Sequence, residues 1–514
     1  MTVLLANAPT RIPTENGLER YFVKAGSRWP FSLEKAVGEP PRYCPFPFGL
    51  GVLAGLLERA SLPVEVLDGV ALNLAESTFL ERCVALRPRV ILLEATTPTV
   101  VQDLAVCREL KARTGALIAL AGTHPTVFAR ELLREEPAVS WVFRGEYELA
   151  ALRAIQALLA GEDPEGAVVA ATPGIVVGRG ARGEEREVLE GPEPEPILDL
   201  DALPFPARHL FPTRQAPSMW PYWDGFCQRR PAVQLQSTRG CPWRCTFCLW
   251  IPVMYQQGPY RTRSPGRIVD EMEEVIGRYG AREIYFDDDT FTVREEHVLG
   301  LCSELERRGL KVPWSVMGDA MAVTERAIDA MARAGCIGMK FGLESANKEV
   351  LKATRKPVKT DKVRDVVGWC ARRGIKTHAT VTFGLEADTS ESMAETLAYC
   401  CGLPVDSIQF SIATPFPGTE LHARAERAGR IRATSWMDYD GARSTVLTFP
   451  GMLGEEVASF ARRAPSAWLK SRLREPAWVR RQARYLAQTL ADQGLPGLVR
   501  RVNRGLALFL SRPT

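Results

Sequence analysis

The sequence predicts an α/β fold in three parts: a doubly wound, Rossmann-like sheet, a (β/α) barrel that is partial or complete, and a C-terminal helical appendage. Three observations predict it. Short apolar runs alternate with helical patterns over residues 1–170, the alternation restarts at Ala232, and it stops near Arg430. Continuous apolar strands between helices mean a mostly parallel sheet with both faces covered.

In order, VLLANAP, PVEVLDG, RVILLEAT, ALIALAGT and SWVFRGE read as strands, with GLGVLAGLLERA, TFLERCVAL, VQDLAVCRELKAR and ARELLREE as the helices between them. Such sheets bind ligands beyond the carboxyl ends of their strands, here Asn7–Pro9, Thr96–Thr99, Gly122–Thr126 and Arg144–Glu148. Residues 171–225 read as a connector, with a hairpin about Gly178–Gly183 followed by Pro192, Pro194, Pro196, Pro204 and Pro206. Prolines at that density resist both helix and central strand. The barrel takes residues 226–430. Its strands are AVQLQST, EIYFDDD, VPWSVM, IGMKFGLES, IKTHATVTFG and SIQFSIATPFPG. Barrel chemistry sits at the C-terminal strand ends, where Asp287–Asp289, Glu344, Ser345 and residues 414–419 fall. The helical region 431–514 is expected to be interrupted at Pro465, Pro476 and Pro496.

With 514 residues, 46% hydrophobic and 25% charged, the chain has the balance of a soluble globular protein. That excludes disorder, a collagen-like repeat and a small disulfide scaffold. The N-terminus MTVLLANAPT has no basic region before an apolar core, so no signal peptide is read, and a cytoplasmic location is expected. The 12 cysteines then have no disulfide role, and Cys83, Cys107, Cys302, Cys336, Cys370 and Cys400 read as core. Net charge is only +4, but from Ala461 onward 12 Lys and Arg face only Glu475 and Asp492, which makes that segment +10. With Trp468, Trp478, Tyr485 and Phe509 interleaved, it can lie on an anionic membrane as an amphipathic helix. The reading preferred on the sequence is a solvated helical face packed on the barrel by its apolar side, with membrane contact as the other. No nucleic-acid module accompanies the charge, so no nucleic-acid partner is expected.

The strongest chemical signal is RGCPWRCTFC, which places Cys241, Cys245 and Cys248 in a loop after the first barrel strand. A closed zinc site takes four ligands, and the next candidates, His297 and Cys302, lie far downstream. Three thiolates on a [4Fe–4S] cluster leave one iron open to a substrate or cofactor.

This C-x3-C-x-aromatic-C spacing, with Phe247 as the aromatic, resembles the signature of the radical S-adenosylmethionine (SAM) superfamily. YFDDDTFT, GLES and ATPFPGTEL continue the likeness, and the turns GTHPT and FRGEYE resemble those of a cobalamin-binding domain. Together they cover residues 1 to about 425. CTFCLW and YRTRSP are most similar to the branch holding hopanoid-associated proteins and the anaerobic magnesium-protoporphyrin monomethyl ester cyclase. The resemblance implies that Cys241, Cys245 and Cys248 hold the cluster and that Phe247 packs near the SAM adenine. It further implies that Asp288 accepts from the SAM ammonium, and that Glu344 and Ser345 contact its ribose and methionine portion. It places Asn7, Thr97, Gly122, Thr123, His124, Gly145 and Glu146 about cobalamin. No catalytic residue is assigned.

Two departures stand out. Where the family often reads Gly-Leu-Pro-Gly-Glu-Thr, this chain has GLEADT at Gly384 to Thr389. The Asp-x-His-x-x-Gly motif that often supplies a lower axial histidine is absent, and His124 is the only histidine of residues 1–170. His124 reads as a turn residue near the corrin or its tail, which leaves the cobalt's lower face to water or another side chain. The implied activity is C-methylation of an unactivated carbon through a 5′-deoxyadenosyl radical and methylcobalamin. Cyclisation, oxidation or rearrangement without methylation is the second reading, and a non-catalytic cluster and cobalamin protein the third. A small-molecule or lipid-like substrate, an electron donor such as flavodoxin or ferredoxin, and peripheral membrane contact complete the expectation.

Overall fold

A computed structural model describes residues 2–161, 167–180, 186–213, 220–443 and 446–510. Seven strands form the first sheet, in the order Glu187–Glu190, Ile175–Arg179, Trp141–Phe143, Leu117–Ala121, Pro88–Glu94, Thr2–Asn7, Val64–Asp68. The last five are mutually parallel and the first two are added antiparallel. Val3 and Leu5 point into one apolar layer with helices Phe48–Arg59 and Glu148–Ala160. Leu4 and Ala6 point into the opposite layer with Glu76–Ala85 and Val100–Thr114. Alternation along a strand buried on both faces produces this division. The hairpin read about Gly178–Gly183 pairs Ile175–Arg179 with Glu187–Glu190 and extends the first sheet; residues 181–185, Gly183 among them, lie outside the described residues.

Six parallel strands form the second sheet in sequence order: Ala232–Leu235, Glu283–Phe286, Trp314–Met317, Cys336–Glu344, Lys376–Phe383 and Ser407–Ile412. The first and last strands are not hydrogen-bonded to each other, so this is an open, partial barrel. Its helices start and stop on local signals. Helix Pro265–Tyr279 has Ser264 as N-cap, Pro265 in its first turn and a left-handed Gly280 after its end.

Two features depart from the sequence reading. A three-stranded antiparallel sheet, Arg11–Pro13, Leu18–Val23 and Phe31–Ala36, follows the first strand. It is tied to the far end of the chain. Ser32 N donates to Asp440 Oδ1 at 3.1 Å, Arg443 pairs with Glu34 at 2.8 Å, and Trp29 meets Phe416 edge-on at 5.0 Å between ring centroids.

The second departure is that helix Gly454–Arg472 runs straight through Pro465. A proline inside a helix costs about 3 kcal/mol, and burial of Val457, Ala458, Ala461, Ala464 and Trp468 outweighs that cost. Pro476 opens the next helical stretch, Pro476–Leu510, which breaks at Gly494; Pro496 then falls in the first turn of the second half, where proline is tolerated. Among the described residues no helix is long and apolar enough to cross a membrane.

Candidate functional site

The cysteine loop is closed at its base by a short pairing of Thr238–Arg239 with Arg261–Thr262. Of the twelve cysteines, Cys241, Cys245, Cys248 and Cys401 are half-exposed and the other eight are buried. Thr290 Oγ1 donates to Cys241 Sγ at 3.3 Å, and Thr246 N donates to Thr354 O at 3.0 Å, which fastens the loop to the end of the fourth strand's helix. Burial pushes the Cys245 thiol up to about 11 and Cys248 to about 12, so the metal-free thiols hold their protons. Ligation must displace them. Among the described residues no three His, Cys, Asp or Glu side chains close round a point for a single ion. Three thiols spread round a loop fit a multi-iron cluster, whose iron atoms are themselves spread apart.

Asp287, Asp288 and Asp289 follow the second strand directly and divide by alternation. Asp288 turns inward, accepting from Ser237 N at 2.7 Å and Thr238 N at 3.1 Å, and burial pushes it up to about 7. Both its oxygens are engaged by this neighbouring strand end. Asp287 pairs with Arg28, which also donates to the Asp287 carbonyl at 2.7 Å. Asp289 accepts from Gly240 N, the residue before Cys241, at 3.0 Å, while its buried Oδ1 makes no hydrogen bond but lies 3.8 Å from Arg28 Nε.

Glu344 ends the fourth strand at φ 63°, a left-handed conformation that costs a non-glycine residue roughly 1–3 kcal/mol. Its carboxylate accepts from Thr382 Oγ1 at 2.8 Å and lies 3.7 Å from Lys356 Nζ. Burial opposes the charge on Lys356, but Glu344 and then Cys245 hold it above the ordinary lysine range. Ser345 Oγ lies 3.1 Å from Thr396 Oγ1, and the following helix is capped by Asn347 instead. Phe247 packs with Val350, Leu385, Ala413 and Leu421 at the mouth. The sequence reading placed Asp289 in the acidic cluster but favoured Asp288, and it did not single out Arg28 or Lys356, which the structure brings beside Asp287 and Glu344. Arg28 comes from the unforeseen sheet, and Lys356 lies in a loop without periodicity.

The first sheet's crevice gathers most of its expected residues. Gly122 has φ 107°, and a Cβ there would come within 2.5 Å of Ala95 O, so only glycine lets the turn close. Thr123 Oγ1 and Asn7 Oδ1 are buried without hydrogen bonds, although Asn7 Nδ2 donates to Asp68 Oδ1 at 2.9 Å. Unpartnered polar atoms at strand ends suit a ligand rich in amide and phosphate groups, as cobalamin is. His124 is buried, with Nδ1 3.3 Å from Thr97 Oγ1 and its ring against Phe128 and Trp436; burial pushes its pKa down to about 3. Gly145 N donates to Thr126 Oγ1 at 3.1 Å.

Glu146 lines the cavity between the two parts, and its carboxylate is engaged in a buried network. It binds Arg239 Nη1 at 2.8 Å, Arg261 Nη1 at 2.5 Å and Ile197 N at 3.0 Å, while Glu148 takes the other arm of Arg239 at 2.8 Å. These pairs join the first sheet to the cysteine loop. A cavity between the two parts is lined by Gly26, Gly49, Glu94, Tyr147, Gln236 and Tyr255. A second cavity of about 460 Å³ opens at the same junction between Val127, Phe128, His422, Ile431, Trp436 and Tyr439.

Comparison with known proteins agrees with this division. The profile of the radical SAM superfamily matches residues 235–400, and that of the B12 binding domain matches residues 34–155. An uncharacterized methyltransferase of Pyrococcus horikoshii is 26% identical over 81% of this chain and 86% of its own. The hopanoid C-3 methylase of Methylococcus capsulatus is 27% identical over 80% of this chain and 75% of its own. Among solved structures, the radical SAM methyltransferase TsrM from Kitasatospora setae, with cobalamin and a [4Fe–4S] cluster bound, superposes with a TM-score of 0.66. It covers 95% of this chain and 99% of that one at 17% identity, which is a likeness of fold.

Proposed function

This chain is a radical SAM enzyme joined to a B12-binding domain, and from that premise we propose that it is a C-methyltransferase acting on an unactivated carbon. One observation carries the reading: the cobalamin crevice and the cysteine loop open on a single junction. Thr126 Oγ1 lies 4.0 Å from Met254 Sδ, and both Val127 and Val253 stand against the backbone of Gly418. When bound, the cluster with SAM supplies a carbon-centred radical and cobalamin supplies a methyl group. The chain's own residues bind and orient. Cys241, Cys245 and Cys248 hold the cluster, Asp289 offers the SAM ammonium an Oδ1 that it shares with Arg28, and Glu344 with Lys356 borders the same mouth. Asn7, Gly122 and Thr123 cradle cobalamin, with His124 in a packed turn beside it.

The aromatic wall of Phe128, Trp436 and Tyr439 fits an apolar or lipid-like acceptor. A low-potential donor of the flavodoxin or ferredoxin kind supplies electrons, and the C-terminal region meets a membrane surface. The enzyme works on the cytoplasmic side.

Anaerobic turnover of reconstituted enzyme with SAM, cobalamin and reductant is expected to give S-adenosylhomocysteine together with 5′-deoxyadenosine. Deoxyadenosine alone would sink methyl transfer and favour cyclase-like chemistry. Separately, Asp289→Asn is expected to raise the KM for SAM about tenfold, because a charge-assisted bond to the ammonium is lost. Asp288→Asn is expected chiefly to lower the melting temperature. The reverse pattern would return the ammonium to Asp288.

A further inference from the structure

Of the eleven large apolar side chains that stand exposed among the described residues, seven lie between Leu473 and Leu506. They are not scattered. In the first half of the last helical stretch Val479, Ala483, Leu486 and Leu490 recur at steps of four, three and four. In the second half Leu495, Val499, Val502 and Leu506 repeat the same steps. Steps of this kind keep side chains on one face of a helix. Leu495 is 64% exposed and Leu506 51%.

The stretch is not loosely placed. Trp478 Nε1 donates to Val405 O at 3.1 Å, Arg481 pairs with Asp406 at 2.8 Å, and Asp492 accepts from Arg230 N at 2.9 Å. These contacts use the inner face of the first half, where Val479, Ala483 and Leu490 stand exposed and Leu486 is half-buried, and beyond the break at Gly494 Leu495, Val499, Val502 and Leu506 are exposed as well. Beside it stand the exposed Arg474, Arg480, Arg484 and Arg500. A second copy of the chain is a poor occupant, since a symmetric contact would bring together two segments that each carry seven arginines against two acids, a charge of +5 apiece. An anionic bilayer satisfies both features, taking the apolar stripe into its interface while its headgroups meet the arginines.

We propose that residues 473–506 are the docking surface by which this enzyme lies on an anionic lipid bilayer, without crossing it. The inference gives residues and lipid chemistry to the membrane contact proposed above, and it does not depend on the reaction catalysed. Docking holds the molecule at the interface where apolar acceptors are concentrated.

The test is co-sedimentation of the full-length holoenzyme with vesicles of phosphatidylcholine, with and without about one-third phosphatidylglycerol. Wild type is expected to pellet with the anionic vesicles, to stay in solution with the neutral ones, and to be released progressively by salt. The double substitution Leu495→Glu/Val499→Glu, on exposed positions, is expected to reduce binding about tenfold or more with iron content and SAM cleavage unchanged. Arg480→Glu/Arg484→Glu is expected to weaken binding only to the anionic vesicles. Equal binding of wild type and Leu495→Glu/Val499→Glu would overturn the proposal. So would a wild-type dimer in light scattering that this pair of glutamates dissociates, because the stripe would then belong to a second copy. Loss of SAM cleavage in the wild type would defeat the enzymatic reading and leave the vesicle result standing.

Discussion

Cys248→Ala is expected to leave the purified, reconstituted protein without its [4Fe–4S] cluster and to abolish reductive cleavage of SAM. Rate loss should exceed about a thousandfold, since the radical step has no source but the cluster. The reason is geometric. On the proposed reading three cysteines are the whole of the chain's hold on the cluster, and the one other half-exposed cysteine, Cys401, is on the helix Ser390–Gly402. Iron and sulfide analysis with 5′-deoxyadenosine quantification reads both effects. The fold should persist, because Cys248 makes only peripheral contact with the core. A variant that kept full iron and cleaved SAM would show that a different residue completes the set.

Glu146→Ala is expected to cost about 3–5 kcal/mol of stability, the usual result of removing one member of a buried ion network. Glu146 touches both Arg239 and Arg261, and all three side chains are at most 5% exposed. Its loss leaves Arg261 without a carboxylate among its recorded ion pairs and strips one of two carboxylates from Arg239. Both arginines sit in the short pairing at the base of the cysteine loop, so cluster retention should fall along with the melting temperature. Thermal unfolding of the cobalamin-free protein, followed by circular dichroism, separates this from any loss of cobalamin. Glu146→Gln should recover part of the loss, keeping acceptors but not charge. A change below about 1 kcal/mol would mean that the network is not structural.

Much of this molecule was legible in its sequence. The apolar runs marked both sheets because parallel strands buried on two faces leave no other pattern. RGCPWRCTFC singled out the loop proposed to hold the cluster, because that chemistry demands closely spaced thiols of one type. What escaped follows from the same logic. The segment LERYFV alternates too weakly to announce an antiparallel strand, and its partner Phe31–Ala36 carries three charged or polar residues of six. The aim of Asp288 and Asp289 depends on which one meets the backbone of Ser237 and Thr238, a tertiary matter that three identical residues cannot encode. Glu146 read as a ligand of the crevice because it sits in a strand-end turn, yet two distant arginines claim it. Pro465 read as a stop because local propensity argues for one, whereas burial of the surrounding face decides otherwise.

The open barrel has a consequence for how such an enzyme changes over time. Trp29 and Arg28 from near the start of the chain meet Asp440 and Gly441 from the region after the second sheet as a clasp, with Arg28 reaching the strand end at Asp287. The residues proposed to hold the cluster and cradle cobalamin lie mostly between these two segments, and their cofactors would allow them little latitude. Trp29, Asp440 and Gly441 are free of that constraint, whereas Arg28 is tied to Asp287 and Asp289. Relatives that accept different carbon skeletons should therefore diverge first in these two short segments, and exchanging them as a matched pair is the route by which one scaffold acquires a new substrate without rebuilding its chemistry.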